Sequence, residues 1–291
     1  MKIKTKRTIN ILIFLSPWII AFLLFELYPL LYSFFVSFTK YSGLNPQISF
    51  VGLSNYIRAF QDEVFLKSVA NTLIFVIGTI PFTIAIALGI AILLNFVNLK
   101  FSGLFKAGFF LPSMISMVVI SMMWIYMYSG TGLFNTLLGF LGFAVEERSW
   151  LANQNTALGS IMFMDVWAAF GYYVILIYAG LQNIPSTIYE AAKIDGAKPT
   201  QIAFKITIPL IKPTLFFVIS LNTIRSFQVF TEIYTMTNGG PRNATETIVH
   251  YLYRVSFKNY EMGYGSAIAY ILLAIIMTVT LIQKRMLRSD Y

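Results

Sequence analysis

Four ionisable side chains stand inside long apolar stretches of this 291-residue sequence: Glu26, Asp165, Arg225 and Glu232. A charge at membrane depth costs about 3 kcal/mol or more, so each is expected to face a cavity, a partner chain or another charge. Arg225 and Glu232 are seven residues apart, two helical turns on one face, with Ser226 and Gln228 near that stripe. Asp165 lies in Met164-Asp165-Val166-Trp167-Ala168-Ala169-Phe170-Gly171-Tyr172, where small residues leave room and Trp167 and Tyr172 offer flat faces. Such a lining suits a hydroxyl-rich solute, whose O–H groups take polar partners while its C–H faces pack on rings. A purely structural role stays open: Arg225 and Glu232 form an ion pair, or bond to a neighbouring chain, without touching any solute. Glu26, near Pro29, is expected to reach the membrane interface.

Other chemistry is excluded by what the chain lacks. Without Cys there is neither a disulfide framework nor a thiolate metal site, and His250 is the only histidine. A zinc cage or a His-based triad is therefore unavailable, and no catalytic or metal-ligating residue is assigned. The net charge of +9 follows the ends of apolar segments instead of forming one patch, so it reads as a topology signal and not as a nucleic-acid surface.

The elements that must position these residues follow from composition. The chain is 57% hydrophobic and 11% charged, where a soluble domain is about a quarter charged. Charge-poor runs recur, each as long as the roughly 20 residues that a helix needs to cross the hydrocarbon core. Backbone groups in lipid must be satisfied within the segment, and the alternation of a barrel strand is absent, so an all-α integral membrane fold is expected. We count six spans, at residues 9–38, 69–97, 107–128, 156–181, 213–235 and 262–283, in one transmembrane domain over 1–291. The first run is too long for a cleaved signal and lacks a small-x-small site. Lys2, Lys4, Lys6, Arg7, Lys100, Lys106, Lys193, Lys198, Lys205, Lys212, Lys284, Arg285 and Arg288 fall on one side. Only Lys40, Arg58, Lys67, Arg148, Arg242, Arg254 and Lys258 fall on the other, so both termini and the 182–212 loop are expected to be cytoplasmic.

That loop reads as two short helices and a turn. Thr187 with Glu190 forms the pattern of a capping box, Gly196 after Asp195 is placed to stop the first helix in the left-handed region, and Pro199 suits the first turn of the second. The second helix is expected to end before Pro209. Ile188, Ala191, Ala192 and Asp195 share one face by helical spacing, a narrow surface that a partner can approach closely. The stretch from Thr245 to Phe257 places Ile248, Leu252 and Val255 on one stripe and is expected to lie along the outer membrane interface.

In this loop the sequence resembles the inner-membrane permeases of binding-protein-dependent ABC importers, in the carbohydrate-uptake group that includes the maltose and glycerol-3-phosphate systems. Their hallmark is Glu-Ala-Ala, three residues, Gly, nine residues, then Ile-x-Leu-Pro. Here Glu190-Ala191-Ala192, Gly196, Ile206 and Pro209 keep that spacing, with Ile208 in place of Leu. The resemblance extends to Gly52-Leu53-Ser54-Asn55-Tyr56, Asn71-Thr72 and Asn238-Gly239-Gly240-Pro241. It implies the type I importer permease fold, with Glu190, Ala191, Ala192, Asp195, Gly196, Ile206 and Pro209 in a coupling helix that docks on an ATPase subunit. It also implies that Asp165, Ala168, Ala169, Tyr172, Arg225 and Ser226 match sugar-contact positions.

The implied protein is not an enzyme and holds no cofactor. The implied partners are two ATPase subunits that bind the ATP, a second homologous permease, a solute-binding protein and lipid, in a bacterial or archaeal cell membrane. Gly196-Ala197-Lys198-Pro199-Thr200 lacks the upstream Gly of a phosphate loop and has Pro after Lys, in keeping with a separate motor. The alternative from another class is an ion-coupled secondary transporter, which would be expected to show paired inverted repeats that this sequence lacks.

Overall fold

Charge-free stretches become helices because a backbone in lipid has no other way to satisfy its N–H and C=O groups. The structure, a computed structural model, describes residues 13–96, 102–143 and 148–287. Residues 9–12, Val97, the turn carrying Lys100, and the basic residues Lys2, Lys4, Lys6, Arg7 and Arg288 lie outside the described residues. Among the described residues four helices are long and apolar enough to cross a membrane: α1 Ile13–Ser37, α3 Glu63–Phe96, α7 Ala157–Leu181 and the last helix over Met262–Met286. They coincide with four of the six expected spans. Glu26 sits exposed in a π turn of α1, Leu23–Leu27.

Of the other two expected spans, 107–128 is bent within its length, and 213–235 lies inside Lys212–Met236, just past a bend that precedes it. Gly103–Met114 and Met117–Met127 meet at 91°, and Pro199–Leu210 meets Lys212–Met236 at 73°. The stretch 107–128 is thus not one straight helix. Ser116 leaves the helical region at φ −55° and ψ 130°, so α4 (Ser102–Met114) ends and α5 (Met117–Met127) starts in a new direction.

The chain forms two compact units. In the first, built from residues up to Asp62 and from Leu252–Ile271, α1 runs into a hairpin of β1 Thr39–Ser42 and β2 Asn45–Phe50. The register pairs Thr39 with Phe50 and Lys40 with Ser49. Asn55, in α2 Ser54–Gln61, donates from Nδ2 to the carbonyls of Ser37 and Thr39, both at 2.9 Å. The Gly52-Leu53-Ser54-Asn55-Tyr56 motif therefore clasps the end of α1. The same unit holds Arg58 against Glu261 at 2.6 Å and over the ring of Tyr264.

The second unit spans Glu63–Tyr251 and resumes at Leu272. Its centre is α7, 61% of whose most apolar window is buried, more than in any of the other three long helices. Ala87 and Ala91 of α3 bring that helix close to Ala169, Tyr173, Val174 and Ile177 of α7, the small-residue packing on which helices rely when lipid supplies no hydrophobic drive between them. On the other side of α7, Ile161, Met164 and Ala168 pack with Phe75, Trp124 and Ile233. After α6 (Leu133–Phe140) and α7 come α8 Ser186–Ile194, α9 Pro199–Leu210, α10 Lys212–Phe227, α11 Thr231–Met236, α12 Ile248–Tyr253 and α13 Met262–Leu287.

Candidate functional site

Three of the four charges in apolar stretches, Asp165, Arg225 and Glu232, gather around one guanidinium, and Glu26 stands apart from them. Arg225 Nη2 donates to Asp165 Oδ1 at 2.6 Å and Nη1 donates to Asp165 Oδ2 at 3.4 Å, the two-pronged geometry that a planar guanidinium offers a carboxylate. Nη2 also lies 3.5 Å from Glu232 Oε1. Side-chain exposure is 2% for Asp165, 8% for Glu232 and 36% for Arg225, so the carboxylates are enclosed and the cation is the member that reaches open space. Removing two charges from water is offset only when geometry and hydrogen bonds are good, and this cluster supplies both.

A break in the fifth span makes the arrangement possible. At the end of α10 the Gln228 N–H reaches back to the carbonyls of Ile224 at 3.2 Å and Arg225 at 3.1 Å, and the chain runs unwound to Phe230 before α11 begins. Arg225 and Glu232 stand on opposite sides of that break, so the two-turn spacing that suggests the pair holds although no continuous helix joins them. Helical counting holds to Phe227, where α10 ends, and fails beyond it. Ser226 is buried and bonded to Asn222 Oδ1 at 3.4 Å, and Gln228 is exposed on the break.

Arg225 lines a cavity of about 150 Å3 with Ala168, Ala169, Tyr172 and Tyr173 from α7 and with Pro112 to Ile120 residues from the α4–α5 bend. Gly171 explains how α4 comes so near, because a Cβ there would collide with the backbone carbonyl of Phe109. Of the eight pathway candidates, Asp165, Ala168, Ala169, Tyr172, Arg225 and Glu232 are brought together, while Ser226 and Gln228 are not. Trp167 packs on Trp124, with ring centroids 5.4 Å apart, and takes no part in the cavity wall.

The 182–212 loop keeps its two-helix form with three local differences. Helix α8 begins at Ser186 with Pro185 at the cap, which has no side-chain acceptor, so Thr187 lies inside the first turn and the capping box does not form. Gly196 takes φ +72°, and the Ala197 N–H to Ala192 carbonyl bond at 2.9 Å closes the helix end as expected. Pro199 starts α9, but the helix runs through Pro209 to Leu210. A π turn over Ile202–Thr207, in which the Ile208 N–H bonds the Ala203 carbonyl, widens the coil and accommodates a residue that has no donor. The small-residue face is also divided. Ala192 is buried and Ile188 half-buried, whereas Glu190, Ala191, Ile194 and Asp195 are exposed. Ile194 and Phe204 are 87% and 71% exposed, apolar side chains standing in a charged loop. Ile206 is half-buried and Pro209 exposed.

A second polar cluster was not foreseen. Asn71 Nδ2 donates to the carbonyls of Asn243 and Glu246, both at 2.9 Å, and the Ile248 N–H donates to Thr72 Oγ1 at 3.0 Å. His250 Nδ1 is bonded to Glu246 Oε1 at 2.8 Å and Nε2 to Asn238 Oδ1 at 3.2 Å. The signal was present as Asn71-Thr72, Asn238 and the four-residue spacing of Glu246 and His250, but nothing local says that these segments meet. Ile248 and Val255 are buried, so the stripe expected to lie on the membrane interface is covered by protein. Among the described residues no group of three or more His, Cys, Asp or Glu is placed to hold a metal.

Residues 56–289 match the family described as the binding-protein-dependent transport system inner membrane component. The chain is 36% identical to the probable ABC transporter permease protein YurN of Bacillus subtilis, over 95% of each chain. It is also 36% identical to the arabinooligosaccharides transport system permease protein AraP of Bacillus subtilis, over 94% of this chain and 87% of that one. In fold it is similar to a chain of a bacterial alginate ABC transporter solved in complex with an alginate pentasaccharide-bound periplasmic protein. The TM-score is 0.86 at 22% identity, with 98% of this chain and 96% of that chain covered.

Proposed function

This chain belongs to the binding-protein-dependent transport system inner membrane component family, and we propose that it is the permease subunit of an ATP-driven importer that carries a sugar or related polar solute across a bacterial or archaeal cell membrane. The observation that carries the ATP-driven part of this reading is the exposed elbow of α8 and α9. Ile194 and Phe204 are left uncovered by their own chain beside Glu190, Ala191 and Asp195, which suits a surface that a partner covers.

In this reading the elbow docks on one of two ATPase subunits, a second homologous permease completes the pathway, and a solute-binding protein delivers the solute on the opposite side. Both termini and the elbow are cytoplasmic. Closure of the ATPases on ATP moves the elbow, and α9, which meets α10 at 73°, passes the motion through α10 to the break beside Arg225. Arg225 holds α7 through Asp165 and the far side of the break through Glu232, so the cavity wall changes as the elbow moves. The solute, for which the name of the relative AraP points to an oligosaccharide, passes Ala168, Ala169, Tyr172 and Arg225.

The chain has no natural Cys, so Ala191→Cys gives one defined cross-linking point on the exposed face. In membranes holding the active assembly, a bifunctional reagent attached to that introduced thiol is expected to capture an ATP-hydrolysing subunit. Transport-competent membranes in which that capture never occurs would remove the basis of the reading.

A further inference from the structure

Arg225 is the only charged side chain among the described residues that line the 150 Å3 cavity, and taken alone it would make the cavity a site for acidic solutes. It is not alone. Asp165 engages it through both carboxylate oxygens, at 2.6 and 3.4 Å, and Glu232 approaches to 3.5 Å. Both acids are enclosed behind the guanidinium, at 2% and 8% exposure. With both ionised the cluster sums to −1, and with one protonated it sums to zero; in neither state is a positive charge left over.

We infer that Asp165 and Glu232 silence the charge of Arg225, so that the cavity accepts an uncharged, hydroxyl-rich solute and excludes carboxylated, sulfonated or phosphorylated ones. The inference rests on the pathway reading given above. The nearest charge to the cavity is the cation and the two anions lie farther back, so their Coulomb energies offset one another there. What remains at the wall is hydrogen-bonding capacity. A hydroxyl both donates and accepts, whereas a carboxylate or phosphate only accepts and would have to be desolvated with no net countercharge. Asp165 is thus a specificity-determining residue that acts on the solute through Arg225.

The test uses the chain's freedom from Cys. Tyr172→Cys, in the complete importer, is reacted with neutral, anionic and cationic methanethiosulfonates, each rate being divided by that of a free thiol in solution. The anionic and cationic rates are expected to agree within about threefold. Adding Asp165→Asn and Glu232→Gln is expected to favour the anionic reagent by roughly tenfold, the effect of one full charge a few ångströms away in hydrated protein. A strong bias toward either ion in the Tyr172→Cys chain overturns the inference, and so does a folded triple variant whose ratio is unchanged. The pathway reading has its own readout at the same thiol. If its reactivity toward the neutral reagent is identical with and without ATP, the cavity does not move with the motor and that reading falls, whatever the charge ratio.

Discussion

Two buried polar clusters in the second unit, similar in composition, are built for opposite purposes. Around Arg225, a cation and two carboxylates join α7 to both sides of a helix break, and the cation remains 36% exposed at a cavity. Around His250, the ring and the Glu246 carboxylate are 1% and 0% exposed, and their neighbours Asn71 and Thr72 hold backbone groups of 243–248. A buried polar network that is fully enclosed ties chain segments together. One that leaves a member at a cavity can also meet a solute. The contrast teaches that burial of charge alone does not mark a site; the opening does.

The sharpest way to break this comparison is Arg225→Met. It leaves Asp165 and Glu232 enclosed without their cation, and loss of one partner of a buried pair costs about 3–5 kcal/mol. A large fall in the melting temperature of the detergent-solubilised protein is expected, with uptake abolished. Unchanged melting and uptake would make the cluster ornamental.

His250→Ala should cost less, about 1–3 kcal/mol, the penalty for removing one hydrogen-bond partner from a buried carboxylate. Uptake per folded molecule is expected to be unchanged. A variant that folded fully yet altered solute preference would erase the distinction between the clusters.

Gly196→Ala lies outside both and calibrates the elbow. Nothing stands within 4 Å of the added methyl, so the cost is the left-handed backbone alone, about 1 kcal/mol. Weakened coupling of ATP hydrolysis to uptake is expected with the Arg225 cavity intact, as judged by Tyr172→Cys labelling. Smallest of all, Gln228→Ala on the exposed break should shift stability by no more than about 0.5 kcal/mol and leave uptake unaltered. A large loss of transport there would assign Gln228 to the pathway although it lies outside the cavity lining.

Much of this is legible in the sequence. The apolar runs, the misfit charges Asp165, Arg225 and Glu232, the stop at Gly196 and the helix start at Pro199 are statements about neighbours in the chain, and local physics decides them. Misjudged features involve competition between neighbours. Thr187 lost its cap to Pro185, and α9 passed Pro209 because a π turn widened ahead of it. Gln228 left the expected stripe because the helix broke between Arg225 and Glu232, which resets the 3.6-residue count, whereas Ser226, still inside α10, is turned toward Asn222.

The amino-acid order by itself determined that the chain lives in lipid as helices, because transfer of side chains and backbone from water to hydrocarbon is summed over each segment and needs no partner. Only the tertiary structure decided that Arg225 meets Asp165 sixty residues away, that α4 bends at Ser116 to wall a cavity, and that His250 closes a loop while Arg225 faces open space. Those outcomes depend on close approach between distant backbones, as where Gly171 admits the carbonyl of Phe109, and a contact of that kind has no signature in either segment alone.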